Sequence, residues 1–306
     1  MAGVVDAAES APALPEPRRY ASTPVWRRLV RQPVTLAAGF ILTGIFVAGA
    51  LVPEYTPPVA HIHLSQRWLN HPPMLSGWHL LGTDAIGRDM LIRVLYGLHT
   101  SEQSALVATF FAAVIGVVVG GIAGYRGGRH DAAMMRITDL VGVFPALMLL
   151  LAIYTWWQPV TAWRATVIFA LYLWVPMARV VRAEISSLRE REFVQAALSL
   201  GASDRRIFFR HLLPNASGTI IIAATSLLGL VFVLEATVEF FGIGVPSDLY
   251  PTLGNLIGDG QRFAFQLGQG WWAWAGPAAL LMLILVCVNL LGDGLVEALR
   301  PPRSRR

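Results

Sequence analysis

Two carboxylates, Glu235 and Glu239, stand one helical turn apart inside a long apolar run, where an ionisable side chain is costly and often functional. If Glu235 lined a passage through the membrane, it would be placed to meet a cationic group such as a peptide's amino terminus. The alternative is that both carboxylates reach the interface or pair with a neighbouring subunit. Four imidazoles, His61, His63, His71 and His79, gather between two apolar runs and are of the type that binds transition metals. Their irregular spacing fixes no coordination geometry, and the single cysteine, Cys287, lies far away in an apolar run. Asp84, Arg88 and Asp89 suit a turn held by ion pairs. Asp139 and Asp293 suit helix-end or interhelical hydrogen bonding better than a proton relay.

Missing residues exclude as much as present ones suggest. All 24 basic side chains are arginine. A phosphate loop of the Walker type needs a lysine, as does a Schiff-base enzyme, so neither chemistry belongs to this chain. No Gly-x-Ser-x-Gly and no His-Glu-x-x-His occurs. No catalytic residue is expected.

The elements that must position these residues are membrane helices. Of the 306 residues, 55% are hydrophobic and only 14% charged, too little charge to cover a soluble domain of this length. Apolar stretches of about 20 residues, the length that crosses a bilayer, predict an all-α polytopic protein. Its expected spans lie near Val34–Val52, Ser104–Ala123, Ile137–Tyr154, Ala165–Val181, Ser217–Phe240 and Pro277–Leu295. Pro145 and Pro176 are tolerable inside a bundle, where neighbouring helices satisfy the freed carbonyls. Ala48-Gly49-Ala50 resembles a signal-peptide cleavage site, but its apolar stretch is long for a signal and follows a long Arg- and Pro-bearing tail, so the span is read as retained. Gly116, Gly120 and Gly124, spaced by four, predict a ridge for close helix approach.

Arginines cluster at Arg18, Arg19, Arg27, Arg28 and Arg31, around Arg126–Arg136, from Arg179 to Arg210, and from Arg300 onward. The positive-inside rule then puts both termini in the cytoplasm. Trp156, Trp157, Trp163, Trp271, Trp272 and Trp274 suit an aromatic belt on the other face. The expected organisation is a cytoplasmic tail over 1–33 ending in a basic amphipathic stretch, and a membrane domain over 34–306. Within that domain lie an outer segment over 53–103 and a cytoplasmic loop over 182–213.

That loop predicts a helical hairpin. Phe193, Ala196, Ala197 and Leu200 repeat at helical spacing and form one apolar face. Gly201 suits a left-handed helix end, Ser203 and Asp204 suit a helix start, and Ile207, Phe208 and Leu212 form a second stripe before Pro214. Periodicity alone leaves open whether such a hairpin docks into a partner or is only a surface feature.

Gln195-Ala196-Ala197, Gly201 and Leu212-Leu213-Pro214 resemble the cytoplasmic EAA loop of ATP-binding-cassette (ABC) importer permeases, with Gln195 where that family has Glu. Further segments are similar to the C-type subunit of dipeptide and oligopeptide permeases. They are Leu81-Gly82-Thr83-Asp84…Gly87-Arg88-Asp89, Ala123-Gly124-Tyr125…Gly127-Gly128…Asp131, Arg136-Ile137-Thr138-Asp139, Phe144-Pro145, Phe241-Gly242-Ile243-Gly244-Val245 and Asn289-Leu290-Leu291-Gly292-Asp293-Gly294-Leu295. The resemblance implies a type I permease fold with six transmembrane helices, in the bacterial inner membrane. It implies a homologous second permease, two ATPase subunits (or one fused) that bind the ATP and Mg, an extracytoplasmic peptide-binding protein, and surrounding lipid, with no nucleic acid. The coupling surface it implies comprises Phe193, Gln195, Ala196, Ala197, Leu200, Gly201, Ala202, Ser203, Asp204, Leu213 and Pro214, with Glu235 a candidate for the translocation path. Nickel and glutathione permeases share these motifs. An ion-driven secondary transporter would need broken helices with midplane charges and an internal repeat, and a membrane hydrolase would need a nucleophile with its base inside the bundle.

Overall fold

The computed structural model describes residues 29, 32–55, 69–74, 79–158, 161–248, 250–267 and 270–299. His61, His63 and the expected 1–33 tail apart from residues 29, 32 and 33 lie outside them. Among the described residues the regular elements are all helices. In order come α1 (Pro33–Tyr55), α2 (Met90–Arg126), α3 (Gly128–Gly142), α4 (Ala146–Trp156), α5 (Ala162–Arg189), α6 (Glu192–Ser199), α7 (Asp204–Ile207) and a π turn (Phe208–Leu212). Then follow α8 (Leu213–Phe240), α9 (Leu253–Leu267) and α10 (Trp272–Leu299). Helices α1, α2, α5, α10 and the run from α7 through α8 are long and apolar enough to cross a bilayer. A sixth span results if α3 and α4 count as one.

That sixth span is not the straight helix expected over Ile137–Tyr154. Helices α3 and α4 meet at a 76° bend. Pro145 has no amide to continue the ladder and disfavours helical geometry at Phe144 before it, so the chain breaks there. Pro176, by contrast, sits inside an unbroken α5.

The centre of the bundle is the contact between α2 and α5. On α5, Phe169, Leu173, Met177, Val181 and Ile185 repeat every fourth residue and are all fully buried. Facing them on α2, Ala108, Ala112, Gly116, Gly120 and Gly124 repeat at the same spacing. A ridge of large side chains thus lies in a groove of small ones, and the two backbones come close. A Cβ at Gly120 would lie 2.3 Å from the Ala178 carbonyl oxygen, and one at Gly124 2.7 Å from that of Arg182.

Two boundaries differ from expectation because polar residues lower the hydropathy of helical segments, buried ones at the start of α2 and part-exposed ones at the end of α5. Helix α2 begins at Met90 rather than near Ser104, so the last part of the expected outer segment is helix. Its first turns carry Arg93, Ser101 and Glu102, all buried, with Arg93 donating to Asp84 at 2.7 Å. Helix α5 likewise runs on to Arg189, well into the expected loop over 182–213. Helix α9 was not expected at all. Its glycine-rich sequence reads as loop, yet glycines let it lie against its neighbours. A Cβ would come within 2.6 Å of the α8 backbone at Gly254 and Gly258, and of the α10 backbone at Gly260.

At the end of the bundle opposite α6 and α7, the 79–89 turn packs as the expected ion-paired unit. The Asp84 carboxylate accepts from the amides of Ile86 and Arg88 and from both the Arg88 and Arg93 guanidinium groups. Asp89 caps α2 by accepting from the Ile92 amide. Trp272 is not part of an exposed belt: it is buried, and its indole donates to the Thr83 carbonyl at 3.1 Å.

Candidate functional site

Helices α6 and α7 form the hairpin foreseen in the sequence, and its turn is a Schellman motif. The Gly201 amide donates to the Leu198 carbonyl at 2.9 Å and the Ala202 amide to the Ala197 carbonyl at 3.1 Å. This pairing requires a left-handed residue just past the helix end, and Gly201 supplies it at φ 78°. Ser203 occupies the first capping position of α7, but its side chain makes no capping hydrogen bond. That corrects the expected role of its hydroxyl.

The apolar residues of the hairpin divide between two faces. Val194, Ile207 and Leu212 are fully buried, and Ala197 and Ala202 pack against the same core. Phe193, Ala196 and Leu200 point outward. The stripe expected as a single face is therefore split: Ala197 turns inward beside Val194, while the other three remain in one exposed line. Leu200 is 88% exposed at the crest, beside the turn. Leu213 and Pro214 begin α8. Between α7 and α8, the Leu213 amide donates to the Phe208 carbonyl, five residues back, a single wide turn immediately before Pro214 that leaves α7 and α8 in one 37-residue run.

Gln195 also has a specific contact. Its side-chain amide donates to the Arg189 carbonyl at 3.2 Å, bridging the end of α5 to α6. A carboxylate has no hydrogen to make this bond.

Side chains from outside α6 and α7 hold the hairpin in place, and no spacing rule pointed to Tyr125, Arg182 or Arg189. The Tyr125 hydroxyl, on the last turn of α2, donates to the Asp204 carboxylate at 2.7 Å. Its ring meets Phe208 edge-on at 6.2 Å, and the Arg189 guanidinium lies 6.0 Å from its centre. Arg182 grips Asp131 with two hydrogen bonds of 2.6 and 2.7 Å, and Arg179 meets Asp139 at 3.1 Å. Helices α2 and α3 are thereby joined to the helix that carries the hairpin. The sequence signals were the Tyr125…Asp131 segment, which stood out by resemblance, and Asp139, expected to make a helix-end or interhelical hydrogen bond and here bonded to Arg179.

The intramembrane carboxylates lie deep inside the chain. Glu235 is 3% and Glu239 2% exposed, so in this conformation neither reaches the bundle surface. Glu235 faces α2, where the Ser101 and Ser104 hydroxyls lie within hydrogen-bonding reach. One Glu239 oxygen accepts from the Val245 amide at 3.1 Å, closing the turn after α8. Glu102, also buried, is a third member that hydropathy reading missed. The His79 ring meets Asp89 at 2.6 Å, and among the described residues no three His, Cys, Asp or Glu side chains are grouped to hold a metal.

This geometry, a rigid hairpin with an apolar crest joined to several membrane helices, can receive a push from outside the bilayer and pass it to the spans. Comparison with known proteins identifies the family. The family model described as "Binding-protein-dependent transport system inner membrane component" matches residues 116–305. The chain is similar to the dipeptide transport system permease protein of Bacillus subtilis, 34% identical over 92% of this chain and 85% of that one. It is similar to the oligopeptide transport system permease protein of Mycobacterium tuberculosis, 36% identical over 91% of this chain and 94% of that one. Among solved structures, an inward-facing methionine ABC transporter shares the fold, with a TM-score of 0.57, 19% identity, and coverage of 69% of this chain and 98% of that chain.

Proposed function

The chain belongs to the family of binding-protein-dependent transport system inner membrane components, and from that premise we propose that it is a permease subunit of an ABC importer for di- and oligopeptides. The observation that carries the mechanism is the exposed Phe193–Ala196–Leu200 line on a hairpin whose other face is buried. An apolar line on a rigid projection is the shape of a knob for a partner's cleft. The partners are two ATPase subunits, or one fused, which bind the ATP and Mg and perform the hydrolysis. A homologous second permease completes the passage, and an extracytoplasmic binding protein delivers the peptide, the cargo named for the relatives. The membrane is the bacterial inner membrane, and the arginine distribution supports a cytoplasmic position for the hairpin and both termini.

The physical cycle is a two-state one. Closure of the ATPases on ATP moves the docked hairpin, which carries α5 and α8 covalently and α2 through Tyr125 and Asp204. The bundle rocks between inward- and outward-open arrangements, each favoured by different ligands. Purification in mild detergent tests this reading. ATPase subunits are expected to accompany the chain, and the reconstituted assembly to import peptide with vanadate-sensitive ATP hydrolysis. Peptide transport by this chain alone, driven by an ion gradient, would overturn it.

In this conformation Glu235 serves a helix contact and not substrate binding. Glu235→Gln can keep the contact with Ser101 and Ser104, and uptake at matched expression is expected to stay within about twofold. Glu235→Leu removes the polar contact, although Ser101 and Ser104 keep the hydrogen bonds they accept from the Leu253 amide and the Thr166 hydroxyl, and is expected to lower the amount of folded protein only modestly. Loss of uptake in Glu235→Gln at normal protein level would instead show that the charge itself acts in transport.

A further inference from the structure

A groove of about 300 Å³ opens between the end of α2 and the start of the α7–α8 run. It belongs to neither the hairpin crest nor the buried carboxylates. One wall is the edge of α2, where Val118, Ile122 and Tyr125 lie one above another at helical spacing. The other wall is Phe208 and Phe209, with Phe209 60% exposed. Gly121 lets the Phe208 ring in, since a Cβ there would lie 2.8 Å from it. The track is therefore apolar along a helix that crosses the bilayer, and it ends where that helix ends.

At this end the charge changes abruptly. Arg126 and Arg205 line the mouth, and Arg206 lines an adjoining pocket that shares Arg205 and Phe209 with the groove. All three guanidinium side chains are exposed, and none has an ion-pair partner among the described residues. The one acid on the lining, Asp204, already accepts from the Tyr125 hydroxyl. Two cations at the mouth and a third beside it thus stand against one acid over a track that is apolar along α2, at the end of a membrane helix.

We propose that this groove is a binding site for an anionic phospholipid, the acyl chain lying along Val118 and Ile122 and the headgroup phosphate held by Arg126 and Arg205. An acyl chain fits the apolar track, and a phosphate fits the fork of an arginine. Basic pockets between membrane helices attract anionic headgroups for the same reason. The site touches Tyr125 and Phe208, the residues that fasten the hairpin to α2, so an occupying lipid stiffens that joint. The proposal needs only that α2 and the α7–α8 run cross a bilayer, and it stands apart from the transport reading.

Native mass spectrometry of the purified assembly, with its copurifying subunits, tests it. Wild type is expected to retain phosphatidylglycerol in preference to phosphatidylethanolamine. Arg126→Gln and Arg205→Gln are each expected to weaken that retention about fivefold, the worth of one basic side chain near an anionic lipid surface. Val118→Trp fills the groove from an exposed position, leaves the charges in place, and is expected to release the lipid from a folded chain. Unchanged phosphatidylglycerol retention in the arginine variants overturns the proposal. Displacement by millimolar inorganic phosphate overturns it in favour of a free-anion site. A photo-crosslinker at Phe209 is expected to yield a lipid adduct; an adduct with an ATPase subunit instead makes the groove a protein interface and ends the lipid assignment.

Discussion

Gly120→Val is expected to remove most of the folded chain from the membrane, the largest effect on stability that a single substitution here should have. The added carbon atoms meet backbone, not the movable end of a side chain. A Cβ at this position would lie 2.3 Å from the Ala178 carbonyl oxygen and 2.9 Å from the Arg182 amide nitrogen. Room can be made only by moving α2 away from α5, which opens the fully buried stack from Phe169 to Ile185. Overpacking a core costs about 1–3 kcal/mol when neighbours can yield, and here they cannot, so the cost should lie at or above that range. Gly44→Val on α1 is the matched control, because a Cβ there meets nothing within 4 Å. Detergent-solubilised protein, heated and then passed over a sizing column, should show a several-fold loss of the folded peak for Gly120→Val and none for Gly44→Val. Equal peaks would mean that α2 and α5 do not pack as closely as described.

Leu200→Asp is expected to do the opposite: leave the chain intact and abolish its work. Leu200 is 88% exposed, so within the isolated chain its loss should change stability by no more than about 0.5 kcal/mol. Buried in a partner's cleft, the same side chain contributes roughly 1.5–3 kcal/mol, and a carboxylate in its place adds an unpaired charge. Retention of the ATPase subunits, and with it ATP-driven import, should fall at least about tenfold. Gly201→Val attacks the same surface through the backbone. At φ 78° a residue bearing a side chain pays roughly 1–2 kcal/mol in left-handed geometry, and a β-branched one is disfavoured further. No neighbour obstructs the new atoms, so the whole effect passes through the Schellman turn. Wild-type import by either variant, with the ATPases still bound, would remove the hairpin from the coupling role.

The helical elements that the sequence revealed clearly are those in which local rules and tertiary packing ask for the same thing. The hairpin was visible because the turn at Gly201 needs a left-handed residue and the stripes on either side repeat at helical spacing. The ridge Gly116–Gly120–Gly124 was visible because only close approach explains small residues every fourth position. Helix α9 was hidden because its glycines argue against a helix locally, and only contact with α8 and α10 outweighs that preference. The start of α2 was hidden because Arg93 and Glu102 look like loop residues until Asp84 and the neighbouring helices are in place around them. The bend between α3 and α4 was underestimated because an internal proline is compatible with both a continuous helix, as Pro176 shows, and a break, as Pro145 shows. Local sequence does not distinguish the two outcomes.

From the amino-acid order alone came the membrane class, the number of apolar runs, the glycine ridge, the hairpin and the absence of a lysine-dependent phosphate loop, since each depends on residue type and on spacing along one element. Which hairpin residues face outward, what fastens the hairpin to α2 and α3, and the burial of Glu235 were decided only by the folded chain. Tyr125 and Asp204 are 79 residues apart, and Asp131 and Arg182 are 51 apart. Nothing in the periodicity of one helix encodes its rotation about its own axis against another. That rotation is set by how the Gly116–Gly124 groove receives the side chains of α5, and it determines every contact made at the ends of those two helices.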